Sequence, residues 1–266
     1  MTTWSVERAA TELLAAEDGR VDRGPITDEW PELIGDIATA YAVQDETLRR
    51  REARGEKLIG VKLGLTSRAK QQRMNVDSPL VAWLTDAMIL PAGEPVPQAK
   101  LIHPRVEPEI VFVMGERLAG PGVTAAQALT AVEAVYAGVE VIDSRYRDFR
   151  FTLTDVIADN SSSGAFVLGP IASDPYDIDL AMEAVLVEAD GKVVDSATGA
   201  AVQGHPAEAL ALAANDLGRR GKTIEPGQIV LTGGMTDALH AGPGSRTAFH
   251  FTNLGSIFIS GGAGCR

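Results

Sequence analysis

The sequence predicts an α+β fold in which a helical N-terminal cap precedes a strand-rich, mixed-β core. The first third of the chain carries apolar residues at helical spacing, whereas most segments from Gly164 onward are short apolar runs between Pro/Gly turns. Strands and helices do not alternate regularly, which disfavours a doubly wound parallel sheet. We place the cap at residues 1–75 and the core at residues 76–266, with one continuous domain as the alternative.

Composition limits the partners that the chain can have. With 266 residues and 45% apolar content, the chain can bury a sizeable core. Its formal charge of −12 would repel nucleic acid and anionic lipid. The only cysteine, Cys265, permits no intrachain disulfide and suits a reducing compartment. Because Glu7 interrupts the N-terminus and no apolar run is long enough to cross a membrane, we expect a cytoplasmic protein without a signal peptide.

Two helices are predicted in the cap. Apolar residues recur at helical spacing from Val6 to Leu14, and Gly19 marks the end of this helix. A polar, proline-containing link leads to a second helix over about residues 34–54. Arginines crowd its last turns, where cations oppose the negative end of the helix dipole, and Gly55 suits the cap.

The middle of the chain mixes strands with short helices. Two strands are predicted from LIGVKLGL and from RVEPEIVFVM, with a short helix over residues 67–74 between them. Thr124 is a candidate cap for a helix over AAQALTAVEAVYA, which would run into a strand around GVEVID. Further along, Asp190-Gly191 is typical of a hairpin turn, and Pro206 and Gly221 bound the last helix. The remaining predicted strands are AFVLG, QIVL, RTAFHF and GSIFIS.

The segment His103-Pro104-Arg105-Val106-Glu107-Pro108-Glu109 is the most informative for function. Side chains two residues apart on a strand share a face, so Glu107 and Glu109 point the same way. Pro108 lacks a backbone donor, which predicts a sheet edge or a bulge. A third acid, Glu140, lies in a second apolar strand. Three carboxylates without paired His or Cys favour Mg²⁺ or Mn²⁺ over Zn²⁺, although a solvated strand face with one buried acid explains the pattern equally well.

Other polar residues interrupt apolar or glycine-rich segments. Lys62 lies between glycines in a strand, where it could transfer protons or, alternatively, extend to solvent. The loop around Ser162 and the turn Thr232-Gly233 could aim hydroxyl or N–H groups at an anion, as such turns sometimes do. The cationic run contains Arg145, Arg147 and Arg150, which either pair with surface acids or bind a substrate carboxylate.

Histidines and familiar motifs give no competing site. His103 and His205 stand beside prolines in turns, where a structural role is expected. The sequence contains no G-x-S-x-G, H-E-x-x-H, Walker or G-x-G-x-x-G pattern. Serine-hydrolase, zinc-protease and nucleotide-binding functions therefore lack their usual signatures.

Taken together, these segments resemble the 2-keto-4-pentenoate hydratase and 4-oxalocrotonate decarboxylase family, within the fumarylacetoacetase superfamily. The resemblance runs in order from Tyr41 to Ser256 and is carried by GVKLGLTSRAKQQRMNVDSP, IHPRVEPEIVFV, GVEVIDSRYRDFRF, DVIADNSSSGAFVLG and LTGGMTDAL. It implies a mixed β-roll core of the fumarylacetoacetase C-terminal type, with a divalent cation held by three acids. By position, these acids fall on Glu107, Glu109 and Glu140, the site lysine on Lys62 and the loop serine on Ser162.

The resemblance also separates decarboxylases from hydratases at one position. Hydratases typically carry V-D-Q-P-D, in which the second acid helps to deliver water, whereas this chain has V-D-S-P-L with Leu80 at that place. An apolar residue cannot orient or deprotonate water, so the pattern favours a decarboxylase. The loop Ser163–Phe166 is closer to the hydratase version, and Ser245 stands where the family usually has an acid.

What the resemblance implies is metal-dependent decarboxylation of 2-oxo-3-hexenedioate (4-oxalocrotonate) to 2-hydroxypenta-2,4-dienoate in the meta-cleavage breakdown of aromatic compounds. Arg145, Thr232 and Gly233 are the candidate substrate contacts. A homo-oligomer and an association with the sister hydratase are expected, because the product is that hydratase's substrate. The alternatives are the hydratase reaction itself and a weakly catalytic partner subunit of such a complex.

Overall fold

The structure is a computed structural model that describes residues 3–67, 71–72 and 79–262. Cys265, most of the predicted helix over residues 67–74, and residues 76–78 of the V-D-S-P-L run lie outside these described residues. Within them, no helix is long and apolar enough to span a membrane.

The N-terminal segment is helical, as predicted. Helix α1 (Val6–Gly19) begins where the Ser5 side chain accepts a hydrogen bond from the backbone N–H of Arg8. After the single-turn helix α2 (Ile26–Glu29), the long helix α3 spans Ile37–Ala53. Helix α3 begins three residues later than predicted, because Asp36 caps it by accepting from the N–H of Thr39 and leaves Ile34 exposed.

These helices pack on one apolar cluster that reaches the strands. Helix α1 packs against α3, and α3 packs in turn against a short helix, α5, over Leu153–Ala158. The cluster contains Ala9, Ala10, Leu13, Ile26, Leu33, Tyr41, Leu80, Tyr146, Val156 and Ile157. Because Leu80 belongs to it, the cap is joined to the strand that follows the predicted boundary.

Seven strands form the larger, mixed sheet. Its order is β2-β1-β8-β3-β4-β5, with β9 also paired to β3. The pair β1/β8 is parallel and the other pairs are antiparallel. The strands are β1 (Leu58–Gly64), β2 (Leu80–Thr85), β3 (Arg105–Met114), β4 (Val132–Ile142), β5 (Ser163–Leu168), β8 (Ile229–Leu231) and β9 (Leu239–His240).

A second, antiparallel sheet of four strands covers part of the first. Its order is β11-β10-β6-β7. The strands are β6 (Ala184–Ala189), β7 (Lys192–Thr198), β10 (Arg246–Phe251) and β11 (Gly255–Ser260). The predicted hairpin turn is confirmed between β6 and β7, where Asp190 and Gly191 have φ of 48° and 80°. Apolar side chains of both sheets share one core, so the predicted α+β fold with a mixed-β core is confirmed.

Two helices complete the fold. Helix α4 (Ala125–Thr130) carries the predicted Thr124 cap, which forms a capping box with Gln127. Helix α6 (Pro206–Arg219) begins at His205, whose Nδ1 accepts from the N–H of Ala207, so the structural role expected for this histidine is confirmed.

The predicted helix over residues 125–137 is wrong beyond Thr130. Strand β4 begins at Val132 and pairs with β3 as far as Ile142. The alanines of this segment suit a helix locally, but a long antiparallel ladder with β3 stabilises the extended conformation instead. Glu140 is therefore carried on a strand of eleven residues rather than on a short one.

Pro108 does not mark a sheet edge, which corrects the prediction. Strand β3 lies between β4 on one side and both β8 and β9 on the other. β8 pairs with Val111–Val113 and β9 with Arg105–Val106, so Pro108 falls in the gap between these two partners. There the N–H of Met235 donates to the carbonyl oxygen of Pro108 at 2.9 Å. The missing donor of proline thus faces a loop rather than a strand.

The division into a cap of residues 1–75 and a core of residues 76–266 stays a prediction. Strand β1 precedes residue 75 and pairs with β2 and β8, which follow it, so strand pairing crosses the proposed boundary.

Gly60 lets β1 approach β8, and this contact gives a test of the fold. A Cβ added at Gly60 would lie 2.0 Å from the carbonyl oxygen of Ile229, so we expect Gly60→Ala to lower the free energy of unfolding by about 2 kcal/mol or more. In the control Gly19→Ala the added Cβ meets nothing within 4 Å, and stability should rise or stay within about 0.5 kcal/mol. Urea denaturation of both variants measures the difference. Equal stabilities would show that β1 and β8 do not pack as described.

Candidate active site

Three glutamates converge on one face of the larger sheet. Glu107 and Glu109 alternate along β3, and Glu140 of β4 lies directly opposite Glu107 in the strand register. One carboxylate oxygen from each of the three lies within 4.8 Å of the others. Their exposed fractions are 8%, 0% and 1%, so the alternative of a solvated strand face is wrong.

Lys62 of β1 joins the same cluster. Its Nζ lies 2.8 Å from Oε1 and 3.0 Å from Oε2 of Glu140. The parallel register of β1 with β8 brings this side chain to the face that carries the glutamates. Only 2% of Lys62 is exposed, so the alternative of a lysine that extends to solvent is wrong.

The loop after β8 packs against Glu107 and Glu109. The N–H of Gly233 donates to Oε2 of Glu109 at 2.7 Å, and a Cβ at Gly234 would lie 2.3 Å from Oε2 of Glu107. Gly233 has φ of 112° and no room for a side chain beside Thr66. The Thr232 hydroxyl donates to the carbonyl oxygen of Ile110 at 2.7 Å. The two residues predicted as substrate contacts thus hold β3 and Glu109 in place.

Burial and mutual repulsion raise the pKa of two glutamates in this cluster. Burial raises the pKa of Glu109 well above its usual range; nearby Glu140 and Glu107 add to the rise, while the Gly233 N–H and Lys62 oppose it. Burial also raises the pKa of Glu140, against the lowering effect of Lys62. Because a carboxylate must be deprotonated to bind a metal ion, a cation placed among these groups would compete with protons for them.

The donor set fits a hard divalent cation. All three ligand groups are carboxylates, which Mg²⁺ and Mn²⁺ prefer, and no histidine or cysteine belongs to the cluster found among the described residues. The Ser162 hydroxyl, 4% exposed, has no hydrogen-bond partner in the described structure and faces the same space. Such an orphaned polar group is typical of a site that a ligand completes.

A cavity of about 700 Å³ is lined by Glu107, one of the three glutamates, and by Lys62, the partner of Glu140. Lys62, Glu107 and Ser162 form its polar floor. Its apolar wall consists of Leu65, Ile142, Phe149, Phe151 and Val156. Leu80 does not line the cavity but packs in the apolar cluster behind this wall with Val156 and Leu65.

Comparison with known proteins identifies the family. Residues 57–258 match the model of the fumarylacetoacetate (FAA) hydrolase C-terminal family, which is most of the chain. The chain belongs to the FAA hydrolase C-terminal family. The resemblance seen in the sequence is thereby confirmed.

Proteins similar to this chain include decarboxylases and hydratases by name. The chain is 44% identical over 232 residues, or 87% of both chains, to a protein named 4-oxalocrotonate decarboxylase from Pseudomonas sp. strain CF600. It is 40% identical, over 88% of this chain and 89% of the other, to a 2-hydroxyhexa-2,4-dienoate hydratase from Comamonas testosteroni. The solved structure of 4-oxalocrotonate decarboxylase from Pseudomonas putida G7, complexed with magnesium and adipate, matches with a TM-score of 0.92. That comparison covers 98% of this chain and 99% of the other at 39% identity.

In this member of the FAA hydrolase C-terminal family, the loop that carries Ser162 is strained. Asn160, Ser161 and Ser162 have φ of 49°, 52° and 58°, a left-handed region that residues other than glycine rarely adopt. The Asn160 side chain holds the loop by accepting from the N–H of Trp83 and donating to its carbonyl oxygen, both at 2.9 Å. Strain of this kind persists where surrounding contacts enforce it, commonly at functional sites.

Arg145 stabilises the loop that carries Ser162, and it does not line the cavity that contains Lys62 and Glu107. Its guanidinium donates to the carboxylate and to the carbonyl oxygen of Asp159, and to the carbonyl oxygen of Ser163 at 2.8 Å. Only 3% of Arg145 is exposed. The structure therefore does not bring this predicted substrate contact to the glutamates, and it places Arg147 at the surface, 3.0 Å from Asp22.

Two other arginines among the described residues line the cavity. Arg150 was one of the three predicted candidates, whereas Arg105 was not assigned a role. The signal for Arg105 is its position, two residues before Glu107 on the same strand and hence on the same face. Phe149 and Asp237 also line the cavity and were not singled out in the sequence.

Cation binding should depend on pH because the raised pKa of Glu109 leaves a proton that the ion must displace. We expect Mg²⁺ affinity to rise with pH by up to about tenfold per unit, and about one proton to be released per ion bound. Isothermal titration of metal-free protein, in buffers of different ionisation enthalpy between pH 6 and 8, measures both quantities. Affinity that does not change with pH, and without proton release, would contradict this account of the cluster.

Proposed function

We propose that the chain is a Mg²⁺-dependent or Mn²⁺-dependent lyase that decarboxylates 2-oxo-3-hexenedioate (4-oxalocrotonate). The products would be CO₂ and 2-hydroxypenta-2,4-dienoate, formed in the meta-cleavage breakdown of aromatic compounds. The observation that carries the proposal is the buried cluster of Glu107, Glu109, Glu140 and Lys62 beneath a cavity with an apolar wall. The identity of 44% to a protein named 4-oxalocrotonate decarboxylase supports the choice of substrate.

The three glutamates would hold the divalent cation. When bound, this cation supplies Lewis-acid stabilisation of negative charge that develops on the substrate's 2-oxo oxygen. Glu107, Glu109 and Glu140 fix its position because their strands are paired and their side chains are buried. The N–H of Gly233 orients Glu109 by donating to its Oε2.

The reaction needs a conjugated path along which the electrons of the broken carbon–carbon bond can reach an oxygen atom. In 2-oxo-3-hexenedioate, C5 carries the distal C6 carboxylate and is joined to the ketone through C3=C4. The electron pair of the breaking C5–C6 bond can therefore be delocalised onto the ketone oxygen. The electron pair of that bond forms C4=C5, the C3=C4 pair moves to C2=C3, and the carbonyl pair moves to oxygen. CO₂ leaves, and the resulting dienolate takes one proton on oxygen to give the 2-hydroxydienoate.

Lys62 and Ser162 are placed to act on this charge. The Lys62 ammonium lies beside Glu140 and lines the cavity, where it adds positive charge near the forming dienolate or transfers its proton. The unpartnered hydroxyl of Ser162 can donate to the C1 carboxylate or to the 2-oxo oxygen. The strained loop that presents Ser162 keeps this donor fixed before the substrate arrives.

The apolar wall favours loss of CO₂ over addition of water. Leu80 contributes to the packing behind the wall at the position where hydratases of the family typically have an acid. Apolar surroundings favour the loss of the carboxylate charge, and the lack of an acid at this position leaves no group there to orient water for addition to the dienolate. We assign Leu80 this passive role.

The hydratase reaction remains the second candidate, supported by 40% identity to the hydratase from Comamonas testosteroni and by the hydratase-like loop after Ser162. A third candidate is a weakly catalytic partner subunit. We propose further that the chain acts in the cytoplasm as a homo-oligomer, and that it associates with a sister hydratase, which would consume its product.

The decisive assay follows CO₂ release from 2-oxo-3-hexenedioate and, in parallel, formation of 4-hydroxy-2-oxovalerate from 2-hydroxypenta-2,4-dienoate. With Mg²⁺ we expect CO₂ release by the isolated chain and a loss of about 10³-fold or more in Glu107→Gln. The matched control Glu133→Gln alters an exposed acid on β4 and should retain full activity. Hydration without CO₂ release would favour the hydratase, and no turnover of either substrate would favour the partner-subunit role.

Replacing Lys62 tests its part in the chemistry. We expect Lys62→Met to lower kcat by about 10²-fold or more, because positive charge and a proton donor beside the dienolate are lost. The affinity for Mg²⁺ should change much less, since the three carboxylate ligands remain. Stopped-flow turnover and calorimetric Mg²⁺ titration of the same variant separate the two effects. A normal kcat would remove Lys62 from the mechanism.

A further inference from the structure

We infer that Arg105 binds the distal carboxylate of the substrate and thereby selects 2-oxo dicarboxylic acids over 2-oxo monocarboxylic acids of equal length. The inference rests on the proposed function, because it takes the other end of the substrate to lie at the glutamates. It concerns a residue that is neither a cation ligand nor part of the Lys62–Glu140 pair.

The first support is position. Arg105, Glu107 and Glu109 alternate on one strand, so Arg105 lies on the face that carries the glutamates and lines the same cavity. Two residues along a strand span about 6.8 Å. An extended six-carbon diacid separates its two carboxyl carbons by about 6 Å, given carbon–carbon bonds of about 1.5 Å. A substrate with its 2-oxo acid end at the glutamates would therefore bring its other end to Arg105.

The second support is availability. No carboxylate among the described residues forms an ion pair with Arg105, whereas Arg145 is committed to Asp159 and Arg147 to Asp22. Arg150, the other arginine of the cavity, has a side chain that is 79% exposed and lies 3.7 Å from Asp28. A charge in open solvent binds an anion weakly. Arg105 is partly buried, and its guanidinium N–H groups can donate to a ligand.

The third support is orientation. The Cζ atom of Arg105 lies 4.1 Å from the centre of the Phe149 ring, and the His103 ring lies 4.8 Å from the same centre. A guanidinium stacked on an aromatic face keeps its N–H groups at its edge, where a carboxylate can accept two of them. Asp148 and Phe149 have φ of 57° and 55°, conformations that are uncommon for bulky residues. The chain thus holds the Phe149 ring against Arg105 in spite of the backbone cost.

The chemistry of decarboxylation predicts how a contact between Arg105 and the distal carboxylate affects KM and kcat. The distal carboxylate is charged when the substrate binds and leaves as neutral CO₂, so a cation beside it stabilises the bound substrate more than the transition state. Removing the Arg105 charge should therefore raise KM and leave kcat unchanged or higher. Damage to the fold or to the cation site would lower kcat instead.

The test compares two stable ligands of equal chain length, 2-oxoadipate and 2-oxohexanoate, by calorimetry in the presence of Mg²⁺. The wild-type protein should bind 2-oxoadipate about tenfold to a hundredfold more tightly, as expected for a charge-assisted hydrogen bond. In Arg105→Gln the ratio of the two dissociation constants should fall to about 1, with 2-oxohexanoate binding within about twofold of wild type. Arg105→Lys, which keeps the charge, should retain part of the preference. The control Arg150→Gln should keep the wild-type ratio.

The outcomes separate this inference from the proposed function. Equal affinities in the wild-type protein, a preference that survives in Arg105→Gln, or its loss in Arg150→Gln would each overturn the role of Arg105. Failure of the wild-type protein to bind either 2-oxo acid with Mg²⁺ would instead refute the proposed function. Binding of 2-oxohexanoate by Arg105→Gln shows that this variant is folded. If Arg105→Gln does not bind 2-oxohexanoate, the ratio of the two dissociation constants and the KM are measured in Arg105→Lys instead.

Discussion

The structure depends on three buried carboxylates held close together on one sheet face, an arrangement that is unfavourable unless cations or protons accompany them. The pairing of β3 with β4 places Glu140 opposite Glu107, and alternation along β3 adds Glu109. The parallel strand β1 brings Lys62 to Glu140, and the glycines after β8 bring an N–H to Glu109. A substitution that alters the register of β1 or β4 by one residue would turn these side chains to the opposite face of the sheet. The seven-stranded sheet is thus specified by the same pairings that build the site.

A second layer of structure holds the polar groups that face the carboxylates. The loop of Asn160–Ser162 and the turn at Asp148 and Phe149 both contain residues at positive φ, and both border the cavity. The loop of Asn160–Ser162 is held by side chains that take no direct part in the proposed chemistry: Asn160 bonds the backbone of Trp83, and Arg145 bonds Asp159. The energy that maintains these conformations comes from burial and hydrogen bonds outside the cavity. Ser162 can therefore keep a fixed position without a ligand.

Much of the fold and the metal cluster could be predicted from the sequence, because period-two patterns and a family resemblance pointed to the same residues. Glu107, Glu109, Glu140 and Lys62 are brought together as expected. The error in β4 arose because alanines at residues 125–137 favour a helix locally, and only pairing with β3 decides otherwise. Pro108 was expected at a sheet edge or a bulge because a sequence does not reveal that β8 and β9 leave a gap beside it.

The positions of the arginines could not be predicted from the sequence for a related reason. Arg145, Arg147 and Arg150 form a conspicuous run, but which of them is free depends on acids distant in sequence, such as Asp159 and Asp22. Arg105 is different, because its position on β3, two residues before Glu107, is enough to place it on the same face as Glu107. β3 then carries one cation followed by two anions along a single face, so that its charge changes sign over the length of one small diacid. Only the 2-oxo acid end of such a substrate can chelate a cation at the glutamates, and only its simple carboxylate end suits an arginine. The polarity of one strand would thus set the direction in which the substrate binds, and with it which carboxylate is lost.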